Sequence, residues 1–331
     1  MPKYWMISNR NVEQDGLGPS LSRNAEPLSF WISEGGQLDD FTSWRPAQQD
    51  DFIDLLVAAT KNFPDLDQEY HEDQKHVTIF VHGYNENWKA AAKFYQNICK
   101  QLFEGDDGLG ICVLFTWPSD GMTAAYLPDR IDARRAAPDL ANILSALYDQ
   151  MLAGQAAAAG DAAKACRAKT SIIAHSMGNW LLQKAMQIAW TRKNQPLLVS
   201  LVNQLLMVAA DVDNDLFKSG EATDKSDGDA IANLTYRVTA LYTGRDSVLG
   251  LSAGLKHFGK RRLGRSGLDR TTTPPDNIWD VDCTTLISAN AANIHSSYFV
   301  EPETINLIRG ILRGVDRKLL IGPGVESDTK K

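Results

Sequence analysis

The stretch that most constrains this chain is Lys169–Thr170–Ser171–Ile172–Ile173–Ala174–His175–Ser176–Met177–Gly178–Asn179. Ile172, Ile173 and Ala174 close a buried strand. From Met177 to Arg192 the apolar residues Leu181, Leu182, Ala185, Met186, Ile188 and Ala189 recur at helical spacing. A strand therefore turns sharply into a helix with Ser176 at the apex. A turn that tight needs small residues two positions either side, and Ala174 and Gly178 stand there. The pattern A-H-S-M-G is one methyl away from the G-x-S-x-G nucleophile elbow. The bland alternative, a serine that merely caps a helix, explains the hydroxyl but not the paired small residues.

A serine hydroxyl is a weak nucleophile, so an elbow implies a base, a group that orients the base, and donors for an oxyanion. The N–H of Met177, at the helix start, is one such donor. The other comes from a loop after an earlier strand: Lys75–Val81 reads as a strand that ends in His82–Gly83–Tyr84–Asn85. Gly83 lets that backbone approach the elbow, which makes the N–H of Tyr84 the second donor. His175, beside the serine, reads as a packing or loop-bracing residue that faces away along its strand.

Chain order then selects the partners, because an elbow serine is followed first by its acid and then by its histidine. Leu205–Ala210 and Tyr236–Tyr242 read as strands, ending in Asp211 and Asp246 respectively. Asp246 is the preferred acid, since it follows the later strand; Asp211 is the alternative. Only His257 and His295 lie beyond Asp246. His257 sits among Lys256, Lys260, Arg261, Arg262 and Arg265, whose charge disfavours protonation. His295 falls between a short strand at Ile278–Cys283 and a C-terminal helix at Pro302–Leu312. The expected triad is Ser176, Asp246 and His295.

These residues carry a resemblance. F-V-H-G-Y-N at Phe80–Asn85 and F-T-W-P-S at Phe115–Ser119, followed by Tyr126 and Asp129, come first. A-H-S-M-G at Ala174–Gly178, L-Y-T-G-R-D at Leu241–Asp246 and H-S-S-Y at His295–Tyr298 complete the set. Together they resemble a bacterial α/β-hydrolase group labelled only as a hydrolase domain of unknown function, over roughly Lys75 to Leu312. The resemblance implies a single α/β-hydrolase domain, with a mostly parallel central sheet flanked by helices on both faces. It also implies an esterase- or lipase-like serine hydrolase acting on a small-molecule or lipid acyl substrate, with no cofactor and no metal. An acyltransferase or amidase would use the same triad, and a non-catalytic binding module would keep the elbow without chemistry. His82, Gly83, Trp117 and Tyr126 are the expected substrate-binding positions.

Composition narrows the setting. The chain has 331 residues, a hydrophobic content of 44% and no run of 18 apolar residues, so a transmembrane helix is not expected. Met1–Arg10 lacks the apolar block of a signal peptide. Cys99, Cys112, Cys166 and Cys283 show no metal spacing and read as buried thiols of a reducing, cytoplasmic compartment. A net charge of −7 argues against nucleic acid as a partner.

Residues 1–74 read as an N-terminal extension that supplies first strands to the same sheet (Tyr4–Ile7, Leu28–Ile32) and a helix at Asp51–Thr60. Residues 75–321 form the core, with Trp88–Phe103 helical and Ile111–Phe115 a strand. A helix marked by Leu140, Ile143, Leu144, Leu147 and Met151 has Pro138 near its first turn. Residues 322–331 read as a disordered tail. Two inserted loops stand near the expected site. Residues 119–135 carry Met122, Tyr126 and Leu127 as a partial lid. Residues 249–275 hold Lys256, Lys260, Arg261, Arg262, Arg265 and Arg270, either a solvated face or, over 256–270, a contact for an anionic surface.

Overall fold

The computed structural model describes residues 2–64, 74–119, 126–160, 168–193, 200–218, 225–256, 259–291 and 293–320. The chain opens with β1 (Tyr4–Ser8), a hairpin of β2 (Arg10–Glu13) and β3 (Gly16–Leu21), then β4 (Ser29–Ser33), β5 (Arg45–Ala47) and helix α1 (Gln49–Thr60). β6 (His76–Val81), α2 (Trp88–Ile98), β7 (Gly110–Thr116), α3 (Tyr126–Gly160), β8 (Lys169–His175) and α4 (Gly178–Lys193) follow. β9 (Val202–Val208), α5 (Lys225–Leu234), β10 (Thr235–Tyr242), α6 (Ser247–Leu251), α7 (Leu263–Ser266), β11 (Ile278–Asp282), α8 (Pro302–Leu312) and α9 (Arg317–Leu320) complete it.

Nine strands form one sheet in the order β11–β10–β9–β8–β6–β7–β1–β4–β5. From β11 to β1 every neighbouring pair is parallel; β4 and β5 add an antiparallel edge. β1, β4 and β5 thus carry the N-terminal segment into the same sheet as the rest of the chain. The fold is that of an α/β hydrolase, a mostly parallel sheet with helices on both faces.

Both faces are covered, so the strands read as continuous apolar runs, and alternation decides which core each residue joins. Ile79, Val81, Ile172 and Ala174 point into a core shared with α1, α3, α4 and α5. Phe80, Leu114, Ile173 and Leu206 point the other way, against α2 and α8. Burying each such large side chain contributes about 1.5–3 kcal/mol. The chain leaves β6 for β7 on one side and returns to β8 on the other, so the strand order reverses at β6. In open parallel sheets, ligands gather at the carboxyl ends of strands around such a reversal.

Two boundaries differ from the sequence expectation. Pro138 lies inside α3 rather than in its first turn, because the helix begins upstream at Tyr126. Its early turns are held there: Tyr126 Oη donates to Asp211 Oδ2 at 2.7 Å, and Ser119 Oγ donates to Asp129 Oδ2 at 2.5 Å. Ala133, Ala136 and Ala137 bury a small-residue face. Within the expected loop 119–135, residues 126–135 are therefore helical; Met122 lies outside the described residues. The second expected loop, 249–275, contains the end of α6, a π-helical turn at Ser252–Lys256 and α7. His257, Cys166 and the tail 322–331 lie outside the described residues. Among the described residues, no helix is long and apolar enough to cross a membrane.

Candidate active site

Ser176 follows β8 directly and has φ = 52°, in the left-handed region that a residue with a side chain adopts at a cost of about 1–3 kcal/mol. The surrounding hydrogen bonds hold it there. Ser176 N–H donates to Val208 O at 3.0 Å, and Asp211 N–H and Asn179 N–H each donate to Ser176 O at 3.1 Å. The Asn179 side chain adds bonds from Nδ2 to Ala174 O (2.9 Å) and Ser176 O (3.2 Å).

The small residues act through close approach. A Cβ at Gly178 would lie 2.5 Å from His82 O and 2.6 Å from Val81 O, so only glycine lets the start of α4 sit on the end of β6. A Cβ at Gly83 would lie 2.8 Å from Ser176 Cβ. The turn after β6 thus presses its backbone against the serine.

That turn rests on a buried polar assembly. His82 is fully buried and its ring stacks on Trp117 with centroids 5.3 Å apart. His82 Nε2 accepts the Trp117 N–H at 3.2 Å, which puts the proton on Nδ1, and Nδ1 donates to Gly83 O at 2.9 Å. Burial, with the Arg10 charge adding to it, pushes the His82 pKa down to about 3, so the ring stays neutral. Arg10, itself buried, donates from Nε to Thr116 Oγ1 (3.0 Å) and from Nη2 to Glu86 O (2.9 Å). The Glu86 carboxyl is pushed up to about 8 by burial, against the pull of Arg10.

Asp246 and His295 meet at the carboxyl edge. His295 Nδ1 donates to Asp246 Oδ2 at 2.7 Å; the aspartate is fully buried and the histidine side chain is 10% exposed. The carboxylate only accepts, so Nδ1 bears a proton, and in the neutral ring Nε2 then holds the lone pair a base needs. The other oxygen, Asp246 Oδ1, accepts Leu249 N–H at 3.0 Å and caps α6, while Arg265 donates to the Asp246 carbonyl. His295 lies in a short 3₁₀ helix, Ile294–Phe299, with its ring centroid 4.9 Å from that of His175, the neighbour of Ser176. Among the described residues, no hydrogen bond joins Ser176 Oγ to His295; in ligand-free sites this contact is often long.

Asp211, the alternative acid, is committed elsewhere. It accepts Arg262 Nε at 2.8 Å, Tyr126 Oη at 2.7 Å and Ser252 Oγ at 2.9 Å. Burial works to raise its pKa, but the Arg262 charge and these bonds outweigh it and hold the carboxyl below its usual range.

The anion-contact expectation for 256–270 is reduced accordingly. Arg262 is fully buried on Asp211 and Asp213, Arg265 binds the acid turn, Arg270 pairs with Asp280, and Lys260 lies 3.3 Å from Asp213. The substrate-binding expectation changes in a similar way. Gly83 lines the serine, whereas His82, Trp117 and Tyr126 are buried with polar atoms engaged internally. Tyr126 packs edge-on behind Tyr84, with centroids 5.5 Å apart. His175 differs in its direction too: its ring lies against His295 rather than away along the strand. Among the described residues, no group of three or more histidine, cysteine or carboxylate side chains could hold a metal ion. The buried Arg10 and Arg262 have no motif to announce them.

The strained serine at the end of a central parallel strand, in a sheet whose order reverses beside it, defines an α/β-hydrolase-fold protein. More particularly, the chain belongs to the family described as alpha/beta hydrolase of unknown function (DUF900), whose model matches residues 59–312. Solved structures similar to it include lipase B of Aspergillus fumigatus, at 12% identity over 92% of this chain and 63% of that one (TM-score 0.40). Phospholipase PlaB of Legionella pneumophila, in complex with thio-NAD, is 15% identical over 74% of this chain and 60% of its own (TM-score 0.35). An esterase of Pyrobaculum calidifontis is 12% identical over 79% and 89% (TM-score 0.34). The chain thus spans about three fifths of the length of the first two. No curated protein matches the sequence.

Proposed function

We propose that this protein is a serine hydrolase that cleaves a carboxylic ester through an acyl-enzyme. Ser176 is the nucleophile, His295 the base and Asp246 the orienting acid. The observation that carries the reading is the 2.7 Å bond from His295 Nδ1 to a buried Asp246, which makes Nε2 the basic nitrogen of the neutral ring, on the same sheet edge as the strained serine.

His295 Nε2 takes the Ser176 proton as Oγ attacks the acyl carbonyl, and the N–H groups of Tyr84 and Met177 hold the oxyanion. The imidazolium, stabilised by ionised Asp246, returns the proton to the departing alkoxide, and an alcohol leaves. Water, deprotonated by the same nitrogen, then attacks the acyl-serine. The carboxylic acid departs and Ser176 recovers its proton. The substrate is a small-molecule or lipid ester, and the three buried thiols Cys99, Cys112 and Cys283 fit a reducing, cytoplasmic setting.

The experiment is fluorophosphonate labelling with mass mapping of the adduct, followed by p-nitrophenyl ester turnover. Labelling at Ser176 and loss of both signals in Ser176→Ala are expected. An adduct elsewhere, or turnover that survives in S176A, overturns the reading.

A further inference from the structure

We propose that His175 is a positioning residue for His295, a neutral donor that fixes the main chain carrying the base. This rests on the triad reading above and adds to it a residue that touches no substrate.

His175 ends β8 opposite Val208 of β9, immediately before the turn at Ser176. Its ring is buried between three others: Phe94 at 5.5 Å, Phe299 at 5.9 Å and His295 at 4.9 Å between centroids. Nε2 lies 3.0 Å from the His295 carbonyl oxygen. A carbonyl can only accept, so Nε2 bears a proton. Nδ1 is buried, has no hydrogen-bond partner among the described residues, and faces Gly83, where a Cβ would lie 3.1 Å away. The ring is thus wedged between the turn that carries the expected oxyanion donor and the 3₁₀ turn that carries the base.

The protonation state suits that place. Burial, with the neighbouring His295 adding to it, pushes the His175 pKa down to about 3. A second positive ring at this distance would oppose formation of the imidazolium on His295. A neutral histidine supplies the hydrogen bond without the charge. Phenylalanine would fill much of the same aromatic pocket, but it cannot donate to the carbonyl, so donor and filler can be separated.

Two variants make the separation. His175→Phe keeps a ring and removes the donor; His175→Gln keeps an N–H at about the reach of Nε2. Ester turnover is measured with thermal melting, and the proton of the His295–Asp246 bond is followed as a low-field NMR resonance, assigned by its loss in His295→Asn. In H175F, kcat should fall by roughly one to two orders of magnitude with KM nearly unchanged, as expected for a base misplaced by a fraction of an ångström. The low-field resonance should broaden or vanish, and H175Q should recover most of both.

An H175F protein with wild-type kcat and an intact resonance overturns the proposal. So does H175Q failing as badly as H175F while both melt like wild type, since only the ring then matters. The resonance is read without substrate. A wild type inert toward esters would therefore defeat the proposed reaction yet leave the His175 claim decided by the NMR arm.

Discussion

Gly83→Ala probes the close contact between the turn after β6 and the serine. Gly83 is not among the residues with positive φ, so alanine meets no backbone strain there. It meets atoms instead: the new methyl carbon would lie 2.8 Å from Ser176 Cβ and 3.1 Å from His175 Nδ1. Carbon atoms rest at about 3.5–4.0 Å, so relief requires about 1 Å of separation between the turn and the serine. Overpacking of this kind costs about 1–3 kcal/mol of stability. The cost in rate is the sharper readout. On the proposed mechanism the same displacement carries the Tyr84 N–H away from the reacting oxygen, and a misplacement of about 1 Å can cost about 10²-fold. Loss of one oxyanion donor costs on the order of 10²–10³. A fall in kcat of about 10²-fold is therefore expected, or about 2.7 kcal/mol on the barrier. Gly244 provides the comparison: it lies in the acid turn, but a Cβ there would meet nothing within 4 Å. The assay is p-nitrophenyl ester turnover with thermal melting for Gly83→Ala and Gly244→Ala side by side. If G83A keeps kcat within about threefold of wild type, or if G244A loses as much, the argument from close approach fails.

Asp246→Asn keeps an oxygen to cap α6 but presents an amide N–H to His295, which favours the wrong tautomer. Turnover should fall by roughly 10⁴ while the melting temperature moves little, and a small loss of turnover would place the acid elsewhere. A second expectation concerns pH. Burial depresses His82 and His175 to about 3 and His76 to about 4, all below the unfolded value near 6.5. Their contribution is present above pH 6.5 and is lost as pH falls toward 3–4. Each group costs about 2 kcal/mol by pH 5, at about 1.36 kcal/mol per unit. Glu86, raised to about 8, opposes them by roughly 3 kcal/mol over the same interval, so urea unfolding at pH 7.5 and pH 5 should show a net loss smaller than the three histidines alone would give. Equal midpoints at the two values would refute it.

What could be read in advance follows from how locally each feature is encoded. Strand and helix positions of the parallel block were legible because hydrophobic period is a local signal: the helix at Pro302–Leu312 and the strands around Ile79, Ile172 and Val238 lie where the pattern places them. The start of α3 was not. It depends on Tyr126 reaching Asp211 across the fold, and a proline at 138 is a louder local signal than a distant hydrogen bond. The hairpin of β2 and β3 and the short β5 escaped because they are brief and lack the continuous apolar runs of the parallel strands. At the site, Ser176, Gly83 and Gly178 could be singled out because a tight turn demands small residues at fixed offsets. Asp246 and His295, 49 positions apart, could be singled out only through chain order.

The buried supports were illegible for a physical reason. Nothing near Arg10 or Arg262 in the sequence marks a charge that will lie inside, since each is made tolerable by a partner far along the chain. Arg262 was instead assigned to a basic surface by its neighbours Lys260, Arg261 and Arg265. Asp211 and Asp213, some fifty residues earlier, draw it inward. The same rule governs His175. Its place beside the serine suggested packing or loop-bracing; which loop it reaches is set by a carbonyl 120 positions later. Local pattern thus finds groups that must sit in a particular turn. Groups that hold those turns in register are specified by their partners, and these come to light only when the chain has closed on itself.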